Sequence, residues 1–169
     1  VGKLKFDRLI KYAEKHFGSA PLKLRTDNRK PFDNYIPGHR VEDKDTFQSH
    51  CMVGNIAYDV QHPKRVVMVL LNNILGGPAM NSRLNLALRE RRGMAHNVES
   101  NYTAYNDTGL FNVYFGTDNV NFEKALSLVK KEFRMLRETK LGGLQLSKVK
   151  KQMIGQIAVS TESHDDLML

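Results

Sequence analysis

Residues 71–118 read LNNILGGPAMNSRLNLALRERRGMAHNVESNYTAYNDTGLFNVYFGTD, and the succession of a helix and two strands in this stretch decides the fold class. Within Ala79–Arg92, Met80, Leu84, Ala87 and Leu88 recur at helical spacing, which predicts a helix with that side inward. Residues 95–105 and 109–117 read as strands, and Asn106-Asp107-Thr108-Gly109 between them has the chemistry of a hairpin turn. Ahead of them, Gly76-Gly77 before Pro78 stops a helix. As a phosphate cradle this pair lacks both a preceding strand and a following Lys-Ser/Thr.

Working outward, residues 63–75 (PKRVVMVLLNNIL) start with a proline suited to a first helical turn and are apolar nearly all round, so a buried helix is expected. Before it, residues 46–59 alternate Phe47, Cys51 and Val53 with Met52, Ile56 and Tyr58. Apolar residues on both faces predict a strand inside a sheet rather than at its exposed edge. After the hairpin, Phe122, Leu126, Val129, Phe133 and Leu136 mark a helix over 121–137. A last helix starts near Leu144 with Leu146, Val149, Met153 and Ile157 inward. At the other end, Phe6, Leu9, Ile10, Ala13 and Phe17 form one face of a helix over 3–17, which Gly18 is suited to end. From Ser19 to Lys44, prolines and charges replace any period, and this reads as a linker. The order helix, linker, β-α-α-β-β-α-α predicts an α+β fold, a mixed or antiparallel sheet covered by helices on one side.

Charge and composition exclude several function classes. The net charge is +8 over 169 residues, but residues 1–44 hold 11 Lys/Arg against 6 Asp/Glu, leaving 15 against 12 for the rest. The excess therefore lies in the first helix and linker, and no aromatic-interleaved basic stripe accompanies it, so nucleic acid is not an expected partner. The longest apolar run, Val66–Leu71, is too short to span a bilayer, and no membrane partner is expected. Cys51 is the only cysteine, so the fold rests on packing; a reducing compartment such as the cytoplasm fits this, without being required.

The histidines are His16, His39, His50, His62, His96 and His164. None makes the His-Glu-x-x-His or His-x-x-Glu-His spacing that puts two imidazoles on one helix face for zinc. His39, His50 and His62 around Cys51 are 11 and 12 apart, which matches no common zinc spacing, so no metal ligands are assigned in this chain. No Gly-x-Ser-x-Gly is present, and Cys51 lies in a strand without an obvious activating partner.

The motifs from Leu71 onward resemble the second-domain signature of the insulinase/pitrilysin family of zinc metallopeptidases, in its mitochondrial-processing-peptidase-like branch. The matching residues are Leu71–Gly77, Ser82-Arg83-Leu84, Leu88-Arg89-Glu90-Arg91-Arg92-Gly93 and Asp107-Thr108-Gly109, in that order. The resemblance covers roughly residues 46–169, and helix 3–17 resembles the end of such a family's first domain. It implies a metallohydrolase fold of that branch in which two similar domains close around a peptide. It places the zinc and its His-x-x-Glu-His motif in the first domain. The second, without metal, supplies an Arg and, seven positions on, a Tyr that bind the substrate. Arg89 matches the Arg, and His96 stands where the Tyr is usual. An imidazole reaches less far than a phenol and titrates near neutral pH.

These implications set the expectations. Residues 1–17 are the C-terminal helix of a preceding domain, 18–45 a linker, and 46–169 a second domain that is incomplete at its C-terminus. The function is the non-catalytic, substrate-binding portion of a zinc-dependent metalloendopeptidase, with no catalytic residue in this chain, no cofactor of its own, and zinc in the first domain. Inactivity of the chain alone follows. Partners are a peptide substrate, the zinc domain of the same or a partner chain, and a second copy in a homo-oligomer. The alternative is a catalytically silent scaffold or partner-binding subunit of the same fold.

Overall fold

The computed structural model describes residues 3–21 and 32–162. The expected linker thus falls partly, and the end of the expected second domain wholly, on residues 22–31 and 163–169, outside the described residues. The chain divides into two compact units, one drawn from residues 1–31 and 157–169, the other from Phe32–Gln156. In the first, α1 (Phe6–Phe17) carries the expected apolar stripe, and Phe6, Leu9 and Phe17 on it are exposed.

The second unit is built on three antiparallel strands, β1 (Gln48–Ala57), β2 (Ala95–Ala104) and β3 (Gly109–Asp118), in the order β1-β3-β2. Helices α2 (Arg65–Gly76), α3 (Phe122–Glu138) and α4 (Gly143–Ser160) accompany them, with a wide π-helical turn at Asn85–Glu90. Side-chain alternation sorts the sheet into two faces. Cys51, Val53, Val98, Phe111, Val113 and Phe115 face the helices, where Leu75, Leu84, Leu88, Ala125 and Val129 meet them in one apolar cluster. Burial of each large side chain there contributes about 1.5–3 kcal/mol. The opposite face, with Met52, Ile56, Leu110 and Tyr114 in register across β1 and β3, leaves Met52, Ile56 and Leu110 exposed. The α+β class with helices on one side is as the sequence predicts.

Four local expectations are corrected. Among the described residues β1 is an edge strand, not an interior one. The apolar residues of its second face lie on the open side of the sheet, where Met52 is 68% exposed. Helix α2 is not buried all round: Val66 and Val67 are exposed, and only its last turn, Ile74-Leu75-Gly76, is enclosed. That turn presses against β2, with Gly76 so close that a Cβ there would lie 2.7 Å from the Ser100 nitrogen. The segment expected as a helix over 79–92 is helical only over residues 83–90, most of it as the wide π-helical turn. Met80 is exposed, whereas Leu84, Ala87 and Leu88 are buried as expected. In α4, Leu146, Val149 and Met153 are half-buried, but Ile157 is exposed.

Candidate functional site

Arg89 and His96 sit on either side of the turn that joins the π-helical segment to β2. The Arg91 N–H reaches the Leu86 carbonyl at 3.2 Å, five residues back, which is the wide bond of a π-turn. The Gly93 N–H then donates to the Arg89 carbonyl at 2.8 Å, and Gly93 has φ +57°, so the helix ends in a left-handed cap that favours glycine. Met94 N–H donates to Leu88 O at 2.8 Å, and an Arg92 guanidinium nitrogen closes on Ala87 O at 2.8 Å. Thr117, fully buried in β3, donates its hydroxyl to Met94 O and so ties the turn to the sheet. The backbone that carries both side chains is therefore held from several directions.

The side chains themselves face water. Arg89 is half exposed and lies 3.9 Å from the Glu90 carboxylate, an ion pair beyond hydrogen-bond reach. His96 is half exposed too, with Nε2 3.1 Å from Asp118 Oδ1. No hydrogen bond or ion pair joins Arg89 to His96 among the described residues. Each keeps its own acidic neighbour, and both side chains are about half exposed to solvent.

His96 is the odd residue of a bulge: Ala95 pairs with Thr117 and Asn97 with Gly116, so His96 opposes no residue of β3. Such a bulge re-aims a side chain. Ala95 and Val98 are both buried although three apart in one strand, which breaks strict alternation. That parity break was the sequence signal for the bulge. Asp118 carries no motif in the sequence.

Beside the bulge, on the open face, lies a second pair. His50 Nδ1 and the Tyr114 hydroxyl share a hydrogen bond of 2.8 Å, and both approach Gly116, where a Cβ would meet them at 3.4 and 3.7 Å. On the open face of β2 and β3, Glu99 and Asp118 carry the formal charges, and no Lys or Arg belongs to any of the three strands.

Other chemistry-bearing groups are placed elsewhere. Cys51 faces the helices, half-buried, and burial pushes its thiol above the ordinary range, against a smaller opposing pull from Lys130. That is the reverse of an activated nucleophile. Tyr102 donates to the Tyr58 carbonyl at 2.6 Å; burial raises its phenol, with Arg65 opposing and Asp59 adding to the rise. Among the described residues no group of three or more His, Cys, Asp or Glu is placed to hold a metal ion. None of their helices is long and apolar enough to cross a membrane.

Comparison with known proteins identifies the family and the fold. The pattern of the family described as "Peptidase M16 inactive domain" matches residues 1–153. A Bacillus subtilis protein, "Uncharacterized zinc protease YmxG", is 31% identical over 163 residues, covering 96% of this chain and 39% of that protein. The mitochondrial-processing peptidase subunit beta of Saccharomyces cerevisiae is 23% identical over 178 residues, covering 96% of this chain and 38% of that one. The crystal structure of a protease from Helicobacter pylori superposes with a TM-score of 0.74 at 18% identity, over 99% of this chain and 42% of that one. The chain thus spans about two fifths of the length of these curated relatives.

Proposed function

This chain belongs to the peptidase M16 family as its inactive domain, and we propose that it is the substrate-binding, non-catalytic portion of a zinc-dependent metalloendopeptidase. The observation that carries the reading is the turn at Gly93, which holds Arg89 and His96 on a fixed backbone and leaves both side chains in water. Arg89 offers a planar fork of donors to a peptide carbonyl, and His96 a single donor beside it. Glu90 and Asp118 hold the two side chains only weakly at these exposures, so a substrate can displace either contact.

In this reading the zinc and the attacking water belong to another domain, in the same chain or a partner's. The residues described here do not fit a zinc site. Helix α1 then closes that preceding domain, residues 18–45 link the two, and the exposed stripe of Phe6, Leu9 and Phe17 packs there. One observation favours a second reading, a silent partner-binding subunit of the same fold: the family's usual phenol is here an imidazole engaged with Asp118.

The test is Arg89→Ala in the full-length protein. Loss of a charged donor near the reacting carbonyl lowers kcat/KM roughly a hundredfold. The melting temperature stays unchanged because Arg89 is exposed. Unchanged kcat/KM in an active parent refutes the clamp. A zinc-loaded parent that cleaves no peptide but retains its partner supports the scaffold.

A further inference from the structure

We propose that the hollow at the hairpin end of the open sheet face is a side-chain pocket for one large apolar residue of the peptide substrate, a proposal that rests on the peptide-binding reading above. The hollow has a volume of about 410 Å³. Phe32, Tyr35 and Ile36 wall it on one side, and Ile56, Tyr105 and Leu110 on the other. No Lys, Arg, Asp or Glu lines it, in a chain with 26 Lys/Arg and 18 Asp/Glu. Asn55, Thr108 and the phenols of Tyr35 and Tyr105 are its polar side-chain groups, and three glycines, Gly38, Gly54 and Gly109, add no side chain to fill it. That is the composition of a site for an apolar group.

The walls are set before any ligand arrives. The Phe32 N–H donates to an Asp107 carboxylate oxygen at 3.1 Å, which fastens the segment around Phe32 to the β2–β3 hairpin. The hairpin is closed by Tyr105 N–H to Thr108 O at 2.8 Å, and Val60 N–H holds Tyr105 O at 2.8 Å. Yet the lining remains in water: Ile36 is 76% exposed, Ile56 47% and Leu110 42%. Enclosing an incoming apolar side chain removes this surface from solvent without ordering new structure.

Position identifies the occupant as a peptide. Ile56 pairs with Leu110 and His50 with Gly116, all on the one open face, and β3 runs six residues from Leu110 to Gly116. At the rise of a strand this is about 20 Å, which about six residues of extended peptide span. One end of that path is the apolar hollow, and the other is the row of His50, Gly116 and the His96–Asp118 pair. A peptide held at His96 thus brings a residue about six positions away over the hollow.

The test uses the full chain and two fluorescein-labelled peptides of Gly, Ser and Asn, about ten residues long, one with a single Phe and one with Ala at that position. Anisotropy is expected to show the Phe peptide bound roughly tenfold tighter. Ile36→Asp, at a position too exposed to endanger folding, erases the difference and leaves the Ala peptide's affinity in place. Arg89→Ala weakens both peptides alike. Equal affinities in the native protein, or a preference that survives both Ile36→Asp and Leu110→Lys, overturn the pocket and leave the clamp standing. If neither peptide binds, the peptide-binding reading falls and the pocket with it. If light scattering finds a dimer that Ile36→Asp dissociates, with no change in peptide preference, the hollow belongs to a second copy and the proposal is wrong.

Discussion

His96 Nε2 stands 3.1 Å from Asp118 Oδ1, so the odd residue of the β2 bulge is tied to the last residue of β3. With both side chains about half exposed, the contact sets the direction of the ring more than it stabilises the fold. Asp118→Asn should therefore change stability by less than about 0.5 kcal/mol in urea unfolding. In an active full-length protein it should raise KM more than it lowers kcat. His96→Tyr, which restores the donor usual in that family, should keep or raise kcat/KM. His96→Phe should do worse than Tyr. Indistinguishable Tyr and Phe variants would make His96 structural.

The partly buried ion pair is a different case. Arg83 Nε lies 2.7 Å from Glu132 Oε2, with side chains only 19% and 15% exposed, and it fastens the start of the π-helical segment to α3. Removing one partner strands a charge where little water reaches it. Glu132→Ala should cost about 2–4 kcal/mol, and Arg83→Met with Glu132→Leu clearly less than Glu132→Ala alone. Chemical denaturation of the two variants makes the comparison, and equal losses would show that packing, not charge, holds this contact.

Two glycines give opposite expectations. A Cβ on Gly76 would come within 2.7 Å of the Ser100 backbone nitrogen and 2.9 Å of its Oγ, whereas one on Gly142 meets nothing within 4 Å. Backbone must move for the first, so Gly76→Ala should destabilise by about 1–3 kcal/mol. Gly142→Ala should be neutral or stabilise by up to about 0.5 kcal/mol, through the reduced freedom of the unfolded chain. A drop in melting temperature for Gly142→Ala as large as that for Gly76→Ala would refute this account of the α2–β2 contact.

Alkaline pH should loosen the second unit at two places. Cys51 and Tyr102 both have raised folded-state pKa values because burial disfavours their anions. For an acid raised on folding, the native state keeps its proton longer than the unfolded chain. The contribution to stability is complete below the unfolded pKa and is lost as pH rises through the folded one. Tyr102 also needs its proton to donate to Tyr58 O. Melting temperature should thus fall on the alkaline side, and Cys51→Ala with Tyr102→Phe should flatten that fall. At about pH 8, thiol reagents should modify native Cys51 more slowly than a free cysteine.

The elements were legible where one periodicity ran long enough to leave a single choice. Phe122, Val129 and Phe133 gave α3, and Asn106–Gly109 gave the hairpin. What the periodicity of one segment does not encode is what lies beside it. Val66 and Val67 read as core, but only the glycine end of α2 comes close to β2. Met52 and Ile56 read as interior, but both are exposed on the second face of the sheet. For the candidate site, Arg89 and His96 came from motif register, and their acidic neighbours came only from the structure. Glu90 is adjacent in sequence, but Asp118 reaches His96 through the β2–β3 register, which depends on the bulge at residue 96.

The strand order β1-β3-β2 has a kinetic consequence. β2 and β3 are neighbours in sequence and close through the tight Tyr105–Thr108 turn, whereas Ala57 at the end of β1 must find Gly109 across everything from Tyr58 to Thr108. Loop-closure entropy makes the first pairing fast and the second slow. The hairpin, with Phe115 and Val113 gathering Leu88 and Val129, is thus the part able to nucleate, and β1 is the last strand to arrive and the first to leave. Amide protons of β1 should exchange well before those of β3. The strand that borders the proposed peptide path is then the one whose arrival completes it.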